Sequence, residues 1–293
     1  MFEFKQVEVS DKEWVAALLK QSCFRGCEYT FGNSYMWSPF YDIQIARYKD
    51  FCLFKNKYGF LFPAGRGEIG EAVEVLREYC RENGTPLKFT NAVPESLELL
   101  KCLYGEQIQV STNRDLYDYV YEFDTLSALR GRKLHAKRNH LNRFYENNWR
   151  FEPITPDNIE ECAAMHNKWC DEKNIYQDSD KRKEAGAVIR GLESFFELGL
   201  IGGAIRVDGE IQAYTFGEPS GNRQNDTFVV HVEKAFSKFQ GAYTAINREF
   251  VNAACQGYKY INREEDMGAE NLRKAKMSYC PAFLIEKYCV KLV

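Results

Sequence analysis

The sequence predicts a mixed α/β protein with two similar halves in tandem, and three observations support this fold class. The chain has 293 residues, and because domains of roughly 150 residues are common, about two domains are expected. Hydrophobic residues make up 45% and charged residues 28% of the chain, as in globular proteins. Strands and helices also recur in the order β-α-α-β-β-β-α-β-α-β in each half, although the halves do not match in sequence.

The C-terminal half gives the clearer pattern of the two. Asp157 is expected to cap a helix whose apolar residues follow a period of about 3.6, and the pair Asp208-Gly209 predicts a tight hairpin. Strands are predicted at residues 149–154, 200–207, 210–217, 227–232, 258–261 and 283–288. Further helices are predicted at residues 181–198, 239–255 and 270–277.

The N-terminal half repeats this order more loosely. A strand at 4–9 precedes a helix that begins after Ser10-Asp11, and a short second helix is expected near 33–37. The remaining strands are predicted at 43–47, 51–55, 58–62, 87–90, 107–110 and 117–123, and the remaining helices at 69–81 and 95–102. We therefore predict an N-terminal scaffold domain at 1–125, a basic linking helix at 126–148 and a C-terminal domain at 149–293.

Composition excludes several classes of protein. A net charge of −3 excludes a generally basic coat for nucleic acid, so any polyanion must meet a local patch. The ten cysteines include no C-x-x-C pair and no zinc-like spacing, so we predict no metal site and expect free thiols in a reducing cytoplasm. No apolar signal core and no run of about 18 apolar residues is found. These features predict a cytoplasmic protein without a transmembrane segment.

Polar side chains cluster where one strand of the C-terminal half ends. The polar run consists of Asn262, Arg263, Glu264, Glu265 and Asp266. Ligands of α/β sheets bind at the carboxyl ends of strands, so we predict that these residues, except Glu265, bind a substrate. The alternative is a buried polar network that fixes the start of the next helix.

Four sequence motifs resemble one family of proteins. They are GRKLHAKRNHLNRF (131–144), HVEKAF (231–236), GAYTAINREF (241–250) and YINREEDMGAENLRKAKMSY (260–279). The chain resembles uncharacterised proteins related to the C-terminal domain of phosphatidylglycerol lysyltransferase, with a tandem Gcn5-related N-acetyltransferase fold. The resemblance implies an acyltransferase that moves an aminoacyl group from aminoacyl-tRNA to an amine or hydroxyl, with a lipid headgroup as one acceptor. It also implies that the strands flanking the long helix separate to form a cleft.

Two further candidates lie on the strand before the long helix, on the same implied cleft. His231 and Glu233 alternate with the strand period of two, so they are expected to point to the same side. A positioned carboxylate can accept a proton, so Glu233 is the predicted catalytic base, and His231 is a second base or its partner. The alternatives are an ion pair of Glu233 with Lys234 or Arg263, and a purely structural histidine.

Two cations on the last helix complete the predicted pocket. Arg273 and Lys276 are three residues apart, so they share a helical face. Such a pair suits a phosphate, a carboxylate or the terminal end of a transfer RNA. We predict that both residues bind an anionic part of the donor.

The linking region contains a strongly basic segment. This basic segment, residues 130–143, has six Arg or Lys residues and no acid. On one helix, four of its positions would form a stripe beside the apolar face: Arg130, Lys133, Lys137 and His140. We predict that the stripe binds phosphates, either of transfer RNA or of an anionic lipid headgroup at a membrane surface. The alternative is a basic surface helix without a ligand.

The loop before the long helix departs from the acetyl-coenzyme A enzymes of this fold. Those enzymes hold the pyrophosphate with a glycine-rich loop at the start of the helix. In KFQGAY (238–243), Gly241 fits such a loop, but Tyr243 is bulky where a small residue is expected. A donor of the acyl-coenzyme A type, bound as a cofactor at Gly241 and Tyr243, is therefore the second hypothesis after aminoacyl-tRNA. The third hypothesis is a non-enzymatic module that binds a small ligand or RNA.

Overall fold

The protein forms two mixed β-sheets covered by helices, which confirms the predicted α/β fold class with two tandem acyltransferase-like halves. The computed structural model describes residues 2–293. The strands in this range are β1 (Lys5–Gln6), β2 (Gln44–Tyr48), β3 (Phe51–Asn56), β4 (Gly59–Phe60), β5 (Ala64–Gly65), β6 (Lys88–Ala92), β7 (Ile108–Thr112), β8 (Asp118–Glu122), β9 (Trp149–Pro153), β10 (Ile201–Val207), β11 (Glu210–Pro219), β12 (Thr227–Ala235), β13 (Tyr260–Asn262), β14 (Phe283–Ile285) and β15 (Tyr288–Leu292). The α-helices are α1 (Lys12–Leu19), α2 (Phe31–Tyr41), α3 (Ile69–Glu82), α4 (Pro94–Tyr104), α5 (Phe123–Ala128), α6 (His135–Phe144), α7 (Ile159–Glu172), α8 (Ser179–Glu193), α9 (Ala242–Ala254) and α10 (Glu270–Met277).

The two halves of the chain exchange one strand each. The first sheet has the order β1-β2-β3-β4-β6-β15-β7, with β5 paired to β3, and the second has the order β14-β8-β13-β12-β11-β10-β9. β8, from the N-terminal half, thus pairs with β13 and β14 in the second sheet, whereas β15 lies between β6 and β7 in the first. The hydrogen bonds between strands therefore do not follow the domain division at residues 125 and 149, which stays a prediction.

The prediction of one strand at residues 283–288 is wrong. β14 pairs with β8 in the second sheet, and the chain then crosses to the first sheet, where β15 pairs with β7. Glu286 and Lys287 form the crossing between the two strands. The sequence pattern indicated one continuous strand because apolar residues lie on both sides of this crossing.

Helices cover both faces of the second sheet. α9 lies on one face, where Phe250 packs with Ile205 and Phe228 in one apolar cluster. α7 and α8 cover the other face, together with α2 from the N-terminal half. α2 and α8 approach so closely that a Cβ atom added to Gly191 of α8 would overlap the sulfur of Met36 of α2. The two halves of the chain are therefore packed against each other through these helices.

An irregularity in β12 determines which way its side chains point. Phe216 of β11 pairs with Val232 and Gly217 pairs with Val230, so His231 is the extra residue of a β-bulge. The bulge reverses the alternation of side chains along the strand. Val230 and Val232 accordingly lie in different apolar clusters, one on each face of the sheet.

β12 and β13 separate after a short parallel pairing. The pairing ends at Val229 and Asn262. The chain then turns toward β8, where the amide of Arg263 donates a hydrogen bond to the carbonyl oxygen of Tyr119 (2.9 Å). Within residues 2–293, no strand pairs with the rest of β12 on this side. A cleft therefore opens between the two strands, at the place that the family resemblance implied.

The predicted linking helix at 126–148 is wrong as one continuous helix. α5 ends at Ala128, and Leu129 and Gly131 then adopt positive φ values of 47° and 89°. A short 3-10 turn precedes α6. The guanidinium of Arg138 fixes the break, because it donates hydrogen bonds to the carbonyl oxygens of Leu129 (2.5 Å) and Gly131 (2.8 Å).

Candidate functional site

Glu233 lies in the cleft between β12 and β13, and both oxygens of its carboxylate are bound. Oε1 accepts a hydrogen bond from Nη2 of Arg263 (2.8 Å), and Oε2 accepts one from Nδ2 of Asn247 on α9 (2.9 Å). The side chains of Glu233 and Arg263 are 12% and 11% exposed. The structure thus brings two predicted site residues together, and it shows the ion pair that the sequence left as an alternative.

The two partners of Glu233 each keep one buried polar atom without a hydrogen bond. Within residues 2–293, these atoms are Oδ1 of Asn247, which can accept, and Nη1 of Arg263, which can donate. A buried polar group without a partner costs about 1–3 kcal/mol, and native proteins contain few of them. The pair therefore leaves one acceptor and one donor unsatisfied beside Glu233. Asn247 was not predicted, because it lies within an otherwise ordinary amphipathic helix.

Two buried tyrosine rings form the wall next to Arg263. Its guanidinium carbon lies 4.7 Å from the ring centre of Tyr279 and 5.5 Å from that of Tyr121. The hydroxyl of Tyr121 donates to the carbonyl oxygen of Lys276 (2.8 Å), and that of Tyr279 donates to Oγ1 of Thr244 (3.3 Å). Both rings are thereby held in place, with their faces available to cations.

Lys137 is the member of the predicted phosphate-binding stripe that reaches this cleft. Its Nζ lies 3.9 Å from the ring centre of Tyr279. Burial and repulsion from Arg263, opposed by attraction to Glu233, lower the pKa of Lys137 to about 8. This lysine therefore belongs to the surroundings of Glu233 as well as to the basic segment.

The other three members of the predicted stripe lie elsewhere. Arg130 and Lys133 are exposed and precede α6, and His140 is half-buried with Nδ1 3.5 Å from Nε2 of Gln240. The expected single stripe is wrong, because the break at Gly131 removes Arg130 from the helix. No ion pair joins the basic segment to an acid within residues 2–293. Its exposed cations Arg130, Arg132 and Lys133 therefore remain available to an external anion.

His231 is buried and faces the opposite side of β12 from Glu233. Its Nδ1 lies 2.7 Å from Oε1 of Glu264, and its Nε2 lies 3.0 Å from Oε1 of Glu218. The same oxygen of Glu218 accepts a hydrogen bond from the amide of Gly32 on α2 (2.7 Å). Burial disfavours the charged ring, but the two carboxylates outweigh it and raise the pKa of His231 to about 9. The expected common side with Glu233 is wrong because of the β-bulge, and His231 links the two halves of the chain.

Asn262 and Asp266 hold the loop after β13 in shape. Nδ2 of Asn262 donates to Oδ2 of Asp118 (2.8 Å), and its Oδ1 accepts from the amide of Glu264 (2.8 Å). Asp266 is fully buried and accepts a hydrogen bond from the amide of Gly268 (2.9 Å). These contacts form the buried polar network that the sequence left as the alternative to substrate binding.

Arg273 is bound to acids of this network. Its Nε donates to Oδ2 of Asp266 (2.8 Å), and its Nη2 donates to Oδ1 of Asp115 (2.5 Å). Burial alone would raise the pKa of Asp266, but hydrogen bonds from Arg273 and Tyr119 lower it to about 2. Arg273 therefore neutralises a buried carboxylate of the protein itself.

Lys276 closes the loop with three hydrogen bonds. Its Nζ donates to the carbonyl oxygens of Arg263 (2.6 Å), Glu264 (3.1 Å) and Glu265. The residue is buried, and this burial lowers the pKa of its ammonium group. Because all three donors are used, binding of an external anion by Lys276 stays a prediction that this geometry does not favour.

The sequence patterns did not reveal a buried cluster around Lys287. Its Nζ lies 2.5 Å from Oδ1 of Asp118, 2.6 Å from Oε1 of Glu28, 3.5 Å from Sγ of Cys27 and 3.7 Å from Oε2 of Glu265. Burial, opposed by Lys287, raises the pKa of Glu265 to about 7. Cys27, Asp118 and Glu265 are close enough to share a metal ion, but the ammonium group of Lys287 already lies among them. The cluster forms because the strand exchange brings together residues that are distant in sequence.

Gly241 of the predicted cofactor loop faces α6. A Cβ atom added to Gly241 would overlap the carbonyl oxygen of His140, and the φ value of 92° also favours glycine. Tyr243, the second residue predicted to bind a cofactor, is 37% exposed in the first turn of α9. The glycine that fits a pyrophosphate loop is therefore explained by the close approach of α6.

Comparisons with known proteins agree with this fold. A conserved protein of unknown function from Bacteroides thetaiotaomicron is 37% identical, with a TM-score of 0.95 and 100% of both chains covered. The C-terminal domain of a putative lysylphosphatidylglycerol synthetase from Agrobacterium fabrum shares the fold at 14% identity, with a TM-score of 0.68 and 97% of this chain and 92% of that chain covered. An uncharacterized protein of Mycoplasmoides gallisepticum is 24% identical over 206 residues, which are 67% of this chain but only 62% of that relative.

Within residues 2–293, none of the α-helices combines the length and the apolar composition that crossing a bilayer requires.

The comparisons also show the family. The family model described as phosphatidylglycerol lysyltransferase, C-terminal, matches residues 19–291. This match spans most of the chain, including the cleft around Glu233 and nearly all of both sheets, although β1 lies outside it. The protein therefore belongs to the family of the C-terminal region of phosphatidylglycerol lysyltransferase.

Proposed function

We propose that the protein is an aminoacyltransferase that moves an aminoacyl group from aminoacyl-tRNA to an amine or hydroxyl acceptor. The observation that carries this proposal is the carboxylate of Glu233, which Arg263 and Asn247 hold between the separated strands β12 and β13. Acyl transfer requires a group that takes the proton of the attacking amine or hydroxyl, and a positioned carboxylate does so. The unpartnered atoms of Arg263 and Asn247 are suited to bind the reacting groups.

The proposed reaction is a direct transfer within the cleft. The acceptor nitrogen or oxygen attacks the carbonyl carbon of the aminoacyl ester, and a new C–N or C–O bond forms. The proton of the acceptor passes to Glu233. The ester C–O bond then breaks, and the leaving ribose oxygen of the transfer RNA takes that proton. Glu233 thus returns to its ionised form at the end of each cycle.

The loop after β13 would position Arg263 rather than contact the substrate. Lys276 binds the carbonyl oxygen of Arg263 itself, and Asp118 fixes Asn262, the residue before Arg263. Arg273 holds Asp266 at the far end of the same loop. In this proposal, the four polar residues around Arg263 are therefore positioning residues.

The basic segment would supply the approach surface for transfer RNA. Its six Arg and Lys residues have no acidic partner within residues 2–293, although the whole chain has a net charge of −3. Cations of this kind bind phosphates through the release of counterions. An anionic lipid headgroup, as in the family's description, is one candidate acceptor. A cytoplasmic location with peripheral contact to a membrane remains a prediction.

Coenzyme A is the less favoured donor. The start of α9 packs against α6, since Gly241 touches the carbonyl oxygen of His140. A pyrophosphate bound at the same amides would compete with this contact. Aminoacyl-tRNA requires no such loop, so the same observation favours it.

Filter binding of charged and uncharged transfer RNA over a salt series tests the proposal. We expect tighter binding of the charged form, and affinity that falls as salt rises. The double variant Arg130→Ala, Lys133→Ala should reduce the slope of log affinity against log salt by about 1–2. The matched control is Arg77→Ala, Lys101→Ala, which removes two exposed cations of the N-terminal half and should leave the slope unchanged.

Two results would contradict the proposal. Equal binding of charged and uncharged transfer RNA would remove the aminoacyl group from the recognised features. An absence of binding at low salt would remove transfer RNA altogether, and calorimetry with coenzyme A would then separate the second enzymatic hypothesis from a binding module.

A further inference from the structure

A lysine occupies a position of the basic segment that faces the protein interior. Leu134, Lys137, Leu141 and Phe144 follow one another at intervals of three, four and three residues, so they share one helical face. The other three residues of this set are buried in an apolar cluster. An amphipathic helix normally places an apolar residue at such a position. The charge of Lys137 therefore requires a reason beyond packing.

The ammonium group of Lys137 has neither an acidic nor a hydrogen-bonding partner within residues 2–293. Its Nζ lies 3.9 Å from the ring centre of Tyr279, and the guanidinium carbon of Arg263 lies 4.7 Å from the same centre. Removing two like charges from water beside one ring costs free energy. The lowered pKa of Lys137, about 8, is consistent with this cost. Glu233 can neutralise one of the two cations, so the cleft retains an excess positive charge.

We propose that Lys137 binds the substrate: its ammonium group and Nη1 of Arg263 hold the carbonyl oxygen of the acyl group, while Oδ1 of Asn247 accepts a hydrogen bond from the α-amino group. The inference rests on the proposed function and names the substrate class, an ester of an α-amino acid. Nη1 of Arg263 and Oδ1 of Asn247, which lack a hydrogen-bond partner in the cleft, then each bind the substrate. The excess positive charge of the cleft then faces the carbonyl oxygen of the substrate.

The same arrangement explains how the transfer would be accelerated. When the acceptor attacks, the electron pair of the C=O bond moves to the carbonyl oxygen, which becomes negative. Cations placed in advance around such an oxygen stabilise the transition state more than the ground state. As the ester C–O bond breaks, the electron pair returns to restore the C=O bond, and the proton held by Glu233 moves to the leaving ribose oxygen.

Two variants separate this role from simple packing against Tyr279. Lys137→Met keeps an unbranched side chain of similar length and removes the charge. Lys274→Met removes an equal charge from an exposed position on α10 that lies outside the proposed binding surfaces, so it is the control. Unfolding temperatures of both variants are measured first, because Lys137→Met is expected to fold at least as stably as the wild type.

Competitive acetylation followed by mass spectrometry tests the environment of Lys137 without a substrate. Acetic anhydride modifies only neutral amines, so the yield against pH reports the titration of each lysine. We expect Lys137 to react with a midpoint near pH 8, whereas exposed lysines in general titrate near pH 10. A midpoint of Lys137 in the range of exposed lysines would overturn the inference, because its ammonium group would then be surrounded by water.

Ligand binding tests the contact itself. The probes are the amides of the common α-amino acids, each paired with the amine that lacks the carbonyl group, and binding is measured by NMR titration. In the wild type and in Lys274→Met, we expect the best amide to bind about 10-fold more tightly than its amine, as one charge-assisted hydrogen bond allows. In Lys137→Met, this ratio should fall several-fold, because only Nη1 of Arg263 is then left to hold the carbonyl oxygen.

The outcomes distinguish the inference from the proposed function on which it rests. If Lys137→Met retains the preference for the amide undiminished, Lys137 does not bind the carbonyl oxygen, and the proposed function stands without it. If no amide binds to the wild type, both the inference and an aminoacyl donor in this cleft are overturned.

Discussion

Replacement of Glu233 by glutamine perturbs the ion pair at the centre of the cleft. Glutamine has the same shape, but its amide nitrogen must face either Nη2 of Arg263 or Nδ2 of Asn247, so one of two hydrogen bonds is lost as long as Asn247 keeps its orientation. The guanidinium, only 11% exposed, also loses its counter-charge. Removal of one partner of a buried ion pair costs about 3–5 kcal/mol, and the remaining hydrogen bond places the expected loss near 3 kcal/mol.

Urea unfolding followed by circular dichroism measures this loss in a double-mutant cycle. The cycle consists of the wild type, Glu233→Gln, Arg263→Met and the double variant. We expect the double variant to be more stable than the sum of the single effects predicts, by about 2 kcal/mol. The control cycle uses Glu270 and Lys274, whose side chains are 77% and 71% exposed, and should give less than about 0.5 kcal/mol. Equal coupling in both cycles would refute the reasoning that burial makes the pair of Glu233 important.

Three other predictions concern His231, Lys276 and Gly241. The pKa of His231 is raised to about 9, against about 6.5 in the unfolded chain, so the charged ring stabilises the fold by about 3 kcal/mol below pH 6.5, and this contribution is lost as pH rises through 9. The difference in unfolding temperature between the wild type and His231→Gln should therefore narrow from pH 6 to pH 10. A difference that stays constant over this range would contradict the prediction. Lys276→Met should lower the free energy of unfolding in a urea titration by about 2–4 kcal/mol, because three carbonyl oxygens lose a buried donor. The control Lys274→Met, at an exposed position, should change this free energy by less than about 0.5 kcal/mol. Gly241→Ala should lower the unfolding temperature more than Gly257→Ala does. Both glycines have φ near 92°, but only at Gly241 would the added Cβ atom meet a carbonyl oxygen. Equal effects would show that backbone strain alone determines the loss of stability.

Local signals in the sequence were sufficient for much of the fold. The last helix was predicted at 270–277, which are the bounds of α10. The hairpin at Asp208-Gly209 was also predicted, and both residues adopt the positive φ values, 52° and 87°, that such a tight turn requires. Helix periodicity and turn residues act over a few positions, so a single sequence reports them well.

The strand exchange could not be predicted in the same way. β8 and β15 have the composition of ordinary strands, and nothing within them indicates the sheet in which each finds its partners. The position of a strand in a sheet depends on hydrogen bonds to distant segments. The cluster of Lys287 with Asp118 and Glu28 remained hidden for the same reason, since its members lie on elements that only the exchange brings together.

The cleft was predicted in part. Arg263 was singled out because polar residues follow an apolar strand, and Glu233 because the family resemblance implies a cleft beside the strand that carries it. The two residues form an ion pair in the structure. The expected common side of His231 and Glu233 assumed regular alternation, which the β-bulge reverses. Lys137 was counted as one of several surface cations, because composition shows the charge of a helix but not which member of the helix enters a cleft.

Single-turnover transfer from radiolabelled aminoacyl-tRNA tests the central claim most directly. Purified wild-type protein and Glu233→Gln are incubated with a mixture of aminoacyl-tRNAs and with lipid and small-molecule extracts as sources of the acceptor, and loss of label from the transfer RNA is followed over time. We expect the wild type to transfer the label to a new product, and Glu233→Gln to do so at least about 100-fold more slowly, as expected for loss of a general base. Equal rates for the two proteins would contradict the role of Glu233, and a wild-type rate no faster than hydrolysis in buffer would contradict the proposed aminoacyl transfer.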